Sequence, residues 1–311
     1  MIERRTVLIL GTGSSIPFGF PSGRALKELI CHGLSKDVNQ PFQLLRQCGY
    51  RSELITGFRD ALLKSGRSSV DAFLEYRPDL LEVGKTAIAA ALIPFEVEDR
   101  LFEGERNWYE YLFGLMIRSP ADIPHAQEHL SVITFNYDRS LEHFLGTALQ
   151  NSFSLHADQA REHVNGFRIV HVYGQLGELR PGPGARPYVP AEPEEAAAVA
   201  SQTAKAIKIV HEGAENPPEL SMARDLISKA QVVTFLGFGY LPENVARLGL
   251  ARSGPHVETR AKLWGSAHGL TQAERRAIQE RVWGDIYLGP DNDEPTRQDV
   301  LGFLRENRIL I

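Results

Sequence analysis

Four apolar runs in this chain each stop at a glycine or a small polar cluster, a pattern that narrows the possible folds more than any other. Residues 7–10 end at Gly11, residues 131–135 at Asn136, residues 167–173 at Gly174 and residues 230–236 at Gly237. Short aliphatic runs without polar alternation suit parallel strands buried on both faces. The segments between them repeat apolar residues at helical spacing. The expected fold is therefore α/β, a Rossmann-like parallel sheet with helices on both faces. In such sheets ligands bind outside the carboxyl ends of the strands. Four strand ends would gather Ser14, Ser15, Asn136, Asp138, His171 and either Glu243 or Asn244 around one crevice.

The first run leads into Gly11-Thr12-Gly13-Ser14-Ser15 and then a helix pattern from about Arg24. Two glycines allow a tight turn and are expected to leave backbone amides uncovered. Together with the helix dipole, such amides favour an anion. A dinucleotide fingerprint of the dehydrogenase type is excluded, because Ile16 stands where its third glycine belongs. No Gly-Lys-Ser/Thr follows, which excludes a P-loop. A plain strand-to-helix turn fits the same residues.

The chain reads as one domain over residues 1–311. Residues 35–130 form a helical insertion between the first two strands, in which the aromatic stretch 108–116 is core. Ser68 or Ser69 is expected to cap the helix that holds Asp71. That acid reads as a helix N-terminal residue, with lining the site as the alternative. Residues 178–200, Pro- and Gly-rich and then acidic and Ala-rich, read as a mobile loop leading into a helix. Residues 204–211 fit helix and strand equally. Helix is expected at 221–229 and 300–307, and a short strand at 286–289.

The chain has 311 residues and a net charge of −5, so it carries no global basic footprint for nucleic acid. No apolar segment approaches membrane-spanning length and no signal peptide is visible. Two cysteines, Cys31 and Cys48, and ten scattered histidines do not make up a structural zinc site, which needs about four ligands. A cytoplasmic, reduced, metal-free protein is the expectation.

With Asn136 in place the motifs resemble a family. Gly11-x-Gly13-x-Ser15 with Gly19-Phe20-Pro21-Ser22 resembles the NAD-binding opening of the sirtuin (SIR2) fold. Asn136-Tyr137-Asp138 looks like the Asn-x-Asp motif of its bacterial SIR2-like branch. His171-Val172-Tyr173-Gly174 falls where that fold places its His-Gly element, and residues 235–239, with Gly237 and Gly239, resemble its last NAD-contacting turn. The resemblance spans roughly residues 7–245.

It implies NAD as a substrate, held by Gly11, Thr12, Gly13, Ser14, Ser15, Gly19, Pro21, Tyr173, Gly174, Gly237 and Gly239. It further implies catalytic roles for Asn136, Asp138 and His171. Asn136 would place the attacking water or ribose hydroxyl, Asp138 would steady the cationic ribose or Asn136, and His171 would act as base or ribose partner. Two departures stand out. Two cysteines cannot supply the zinc ribbon of the protein deacylases, so that activity is disfavoured. Tyr173 occupies the register of the family's catalytic histidine, with His171 two residues earlier. The reading is an NAD glycohydrolase, similar to the SIR2-like effectors of bacterial anti-phage systems. A homo-oligomer or a defence partner protein would be its company. A silent NAD- or ADP-ribose-binding module of the same fold is the alternative.

Overall fold

Residues 6–10, 130–134 and 232–236 are buried along their whole length, as strands covered on both faces must be. In the computed structural model, which describes residues 2–209, 217–290 and 296–310, they form β1 (Thr6–Leu10), β2 (Leu130–Thr134) and β4 (Val232–Leu236) of one six-stranded sheet. The others are β3 (Arg168–His171), β5 (Lys262–Gly265) and β6 (Ile286–Tyr287). The order is β3-β2-β1-β4-β5-β6 and every pairing is parallel. This is the Rossmann-like arrangement expected from the strand runs, and its order reverses between β1 and β4.

Register sorts the side chains. His171, Thr134, Leu10 and Leu236 form one row across the sheet, and Val170, Ile133, Ile9 and Phe235 form the next. Adjacent rows point to opposite faces. Beyond the strand ends, Asn136 follows the parity of Thr134 and Phe135 that of Ile133.

Helices fill the chain between β1 and β2, including Gly23–Gly33, Ser52–Lys64, Val70–Leu74, Leu81–Leu92 and Trp108–Met116. Ser69 caps Val70–Leu74 by accepting from the Ala72 amide. The aromatic helix is core, with Trp108 and Tyr109 almost fully buried. Helix Ala196–Ala204 begins inside the stretch expected as loop, and Tyr188 within that stretch is buried. Of the undecided segment 204–211, Ile207 forms an isolated bridge to Gly174, while residues 210–211 lie outside the described residues. No expectation covered β5: its sequence Lys-Leu-Trp-Gly is short and carries a charge. No helix among the described residues is long and apolar enough to cross a membrane.

Candidate functional site

The glycine turn after β1 does not present the open amides its sequence suggests. Gly11 donates to Leu236 O at 3.0 Å, Gly13 to Gly237 O at 2.9 Å, Ser14 to Gly11 O at 2.9 Å and Ser15 to Thr12 O at 3.1 Å. These four amides are spent inside the protein, which corrects their assignment as an anion cradle. The glycines serve backbone approach instead. A Cβ on Gly11 would lie 2.6 Å from Gly237 O, one on Gly13 2.8 Å from Gly237 Cα, and one on Gly237 2.0 Å from Ser14 N. Gly237 also holds φ 57°, a left-handed conformation that favours glycine. The turns after β1 and β4 are thus welded at the point where strand order reverses.

Beneath that weld sits Asn136, 5% exposed. Its Nδ2 donates to Gly11 O at 3.0 Å and to Ser15 Oγ at 3.0 Å, with Ser14 Oγ at 3.3 Å. Gly11 O can only accept, so the amide orientation is set by its partner. Its other atom, Oδ1, is buried with no hydrogen-bond partner. Buried acceptors are normally satisfied, so this one stands ready for a hydroxyl or a water. A small cavity of about 10 Å³, lined by Asn136, Ser15, Thr134 and Asp138 among others, adjoins it.

Asp138 is fully engaged. Its Oδ2 accepts from Ser15 Oγ at 2.8 Å, and its Oδ1 accepts from the Ser140 amide at 3.2 Å and the Ser140 hydroxyl. Burial raises its pKa, against the opposing effect of these hydrogen bonds. The carboxylate therefore ties β2, the β1 turn and helix Ser140–Phe153 together, and it holds Ser15 toward Asn136. Both oxygens accept hydrogen bonds from within the protein, so the carboxylate holds Ser15 and the start of the helix in place.

His171 is also occupied at both nitrogens. Nδ1 lies 3.1 Å from Asn136 O and Nε2 2.6 Å from Glu142 Oε1. Both partners are acceptors, so the ring satisfies them together only as imidazolium. Burial by itself would lower its pKa, but the Glu142 carboxylate more than offsets that, and the net direction is upward. Glu142 is shifted the opposite way, downward, because His171 outweighs the burial that would raise it. A doubly donating imidazolium has no lone pair to take a proton, and this corrects the assignment of His171 as a base. Its position still matters, since it grips the backbone carbonyl of Asn136.

Tyr173, Gly174 and the Asn136 group part company. Tyr173 Oη donates to Asn244 Oδ1 at 2.6 Å and accepts from Arg247 Nη1 at 2.6 Å. Gly174 has φ 70°, and a Cβ there would lie 1.9 Å from Ala206 O, which makes it a packing glycine. Thr12, Gly19 and Gly239 are exposed at the surface and Pro21 is half-buried. Asp71, in the first turn of its helix, accepts from Tyr137 Oη.

Sequence reasoning missed Glu142 as a partner of His171, and it missed Ser140. Both follow Asp138 within one helical turn, where side chains at a helix start face the neighbouring strand end, and that spacing was the available signal. No cluster of three or more His, Cys, Asp or Glu side chains able to hold a metal occurs among the described residues.

No family model matches the chain, and no curated protein matches it. Among solved structures it is similar to a Sir2 homologue in complex with NAD, at 12% identity and a TM-score of 0.37, over 85% of this chain and 78% of that one. It is similar as well to a mutant Sir2 homologue in complex with 2′-O-acetyl ADP ribose, at 14% identity and a TM-score of 0.36, over 85% of this chain and 81% of that one. Likeness at this level carries nothing about function, and the fold assignment rests on strand order and register.

Proposed function

We propose that this chain binds NAD at the carboxyl ends of β1, β2 and β4 and cleaves its nicotinamide–ribose bond. The observation that carries the reading is the buried, unpartnered Oδ1 of Asn136 in an Asn-x-Asp motif at a strand end. Nicotinamide leaves as a neutral group while positive charge builds on the ribose, so the reaction asks for little acid or base assistance. A placed water and an oriented ribose suffice. Asn136 Oδ1 accepts from that water or from a ribose hydroxyl. Ser15, held by Asp138, fixes the amide from one side, and His171, charged by Glu142, fixes its backbone from the other. The exposed residues Thr12 and Gly239 are where the cofactor's phosphates would meet the chain, since the Gly19 amide, like those of the turn, is spent, on Ile16 O at 3.0 Å.

The anti-phage role and the defence partner come from the motif resemblance and belong to the same proposal. An unregulated NAD-cleaving enzyme would drain the cell that makes it, so activation by a partner protein or by self-assembly is expected.

One observation favours a second reading, binding without turnover. Neither His171 nor Tyr173 has a site free for proton transfer, and the 10 Å³ cavity beside Asn136 is about the size that one water needs. Incubation of the protein with NAD and chromatography of the products separates the two. Nicotinamide and ADP-ribose support cleavage, whereas bound, intact NAD supports the second reading.

A further inference from the structure

Tyr109 belongs to the aromatic stretch read from sequence as core, and its ring does stack on Phe18 at 3.9 Å. Its hydroxyl goes further than core packing requires. Buried with the ring, it lies 2.7 Å from Ser140 Oγ, and Ser140 in turn donates to Asp138 Oδ1. On the far side of the carboxylate, Ser15 Oγ donates to Oδ2 at 2.8 Å and accepts from Asn136 Nδ2 at 3.0 Å. One buried chain of hydrogen bonds therefore runs from a helix of the insertion to Asn136.

The carboxylate gives this chain its polarity. An ionised Asp138 only accepts, so the hydroxyl protons of Ser140 and Ser15 both point at it. Ser140 then accepts from Tyr109, and Ser15 accepts from Asn136. With Ser15 Oγ and Gly11 O both accepting, the Asn136 amide turns Nδ2 to them and leaves Oδ1 open. A protonated Asp138 is a donor and removes that bias. Burial pushes the Asp138 carboxyl up, and the Ser140 hydroxyl, polarised by Tyr109, opposes the rise. The other groups facing Asp138 keep their state in mild acid: Glu142 and His171 are paired with each other, Arg139 is held by Glu96, and burial keeps Tyr109 and Tyr188 neutral. Tyr109 is itself fixed. Asn107 Oδ1 accepts from its amide at 3.1 Å, and the adjacent Trp108 donates from Nε1 to Ser14 O at 2.8 Å.

We propose that Tyr109 is a positioning residue for Asn136, acting through Ser140, Asp138 and Ser15 to keep Oδ1 turned toward the substrate. Its link to catalysis rests on Asn136 placing the nucleophile, whereas its hold on Asp138 does not, and the two are measured separately.

Carbon NMR of the full chain, labelled at its aspartate carboxyls, follows the Asp138 titration, with the resonance assigned by its loss in Asp138→Asn. In Tyr109→Phe, which keeps the ring on Phe18, the Asp138 midpoint should rise by about half a pH unit. NAD turnover should fall about threefold on the acid limb of its pH profile, the same half unit read as a rate, with KM unchanged and recovery toward the parental value at higher pH. Tyr111→Phe, on the same helix, should change neither. An unmoved midpoint in folded Tyr109→Phe overturns the proposal, as does a moved midpoint with an unchanged pH profile, or an equal shift in Tyr111→Phe. In a parent that leaves NAD intact, the cleavage reading falls while the midpoint still decides the role of Tyr109.

Discussion

The carboxyl end of the sheet has two sides, and they are built on different terms. On the Asn136 side, polar groups converge from the β1 turn, β2 and β3, and one buried acceptor is left open. On the Tyr173 side the bonds close on one another. Tyr173 is held by Asn244 and Arg247, Arg247 reaches Glu75 at 2.9 Å, and Tyr137 donates to Asp71. Phe135 stands edge-on to Tyr173 at 5.4 Å and to Phe238 at 5.2 Å, filling the space between them. The paired side fastens the helical insertion, and the side with an open acceptor is where the proposed chemistry is placed. His171 and Tyr173, two residues apart in the chain, fall one on each side.

The largest effect should come from the weld that both sides share. In Gly237→Ala the new methyl meets Ser14 N at 2.0 Å and the Gly13 carbonyl carbon at 2.2 Å, both backbone, with φ already positive. A loss of more than about 3 kcal/mol is expected, read as a collapsed thermal melt. Gly13→Val belongs to the same class, since it strikes Gly237, and loss of NAD binding in it would report the fold rather than a phosphate contact.

Next comes the ion pair under Asn136. His171→Ala strands the Glu142 carboxylate in a mostly buried position and should cost about 3 kcal/mol near pH 6. The sign follows from the shifts. His171 is raised above its ordinary 6.5, so its contribution is full below that value and is lost as pH rises through the raised one. Glu142 is lowered below its ordinary 4.5, so its contribution is full above 4.5 and is lost as pH falls through the lowered value. The stability gap between parent and variant should therefore be widest between about pH 4.5 and 6.5 and narrow toward alkaline pH. A gap independent of pH would remove the charge from this account. Turnover per folded molecule should fall only partly, because His171 positions Asn136 and takes no proton.

Tyr173→Phe should be milder, about 1 kcal/mol of stability for its hydroxyl bonds, with NAD turnover kept. A folded Tyr173→Phe protein without turnover would move the chemistry to the side described here as fastened. The smallest expected effect is that of a chelator, which should change neither the melt nor turnover.

Much of the architecture was readable because β1, β2 and β4 are unbroken aliphatic runs ending in glycine or Asn, a signal that survives without any knowledge of tertiary contacts. β5 escaped because Lys262 and Gly265 leave only Leu263 and Trp264 to mark it. At the site, residue identities were legible but their allegiances were not. Gly11 and Gly13 look the same in sequence whether they face a phosphate or another backbone, and only Gly237, over two hundred residues away, decides it. Two residues apart on a strand would share a face, but Tyr173 lies past the end of β3 and turns toward Arg247. Glu142 stood in plain view inside the Asn-x-Asp motif's own helix, yet its pairing with His171 depends on β3 lying beside β2.

The claim at the centre is that Asn136 Oδ1 does the placing. Nicotinamide release from NAD should be measured for the parent and for Asn136→Ala under conditions in which the parent is active, alongside NAD affinity. The expected result is a fall in turnover of about a hundredfold, near what one positioned polar group supplies, with affinity changed little. Turnover retained at the parental level in a folded Asn136→Ala protein would contradict it.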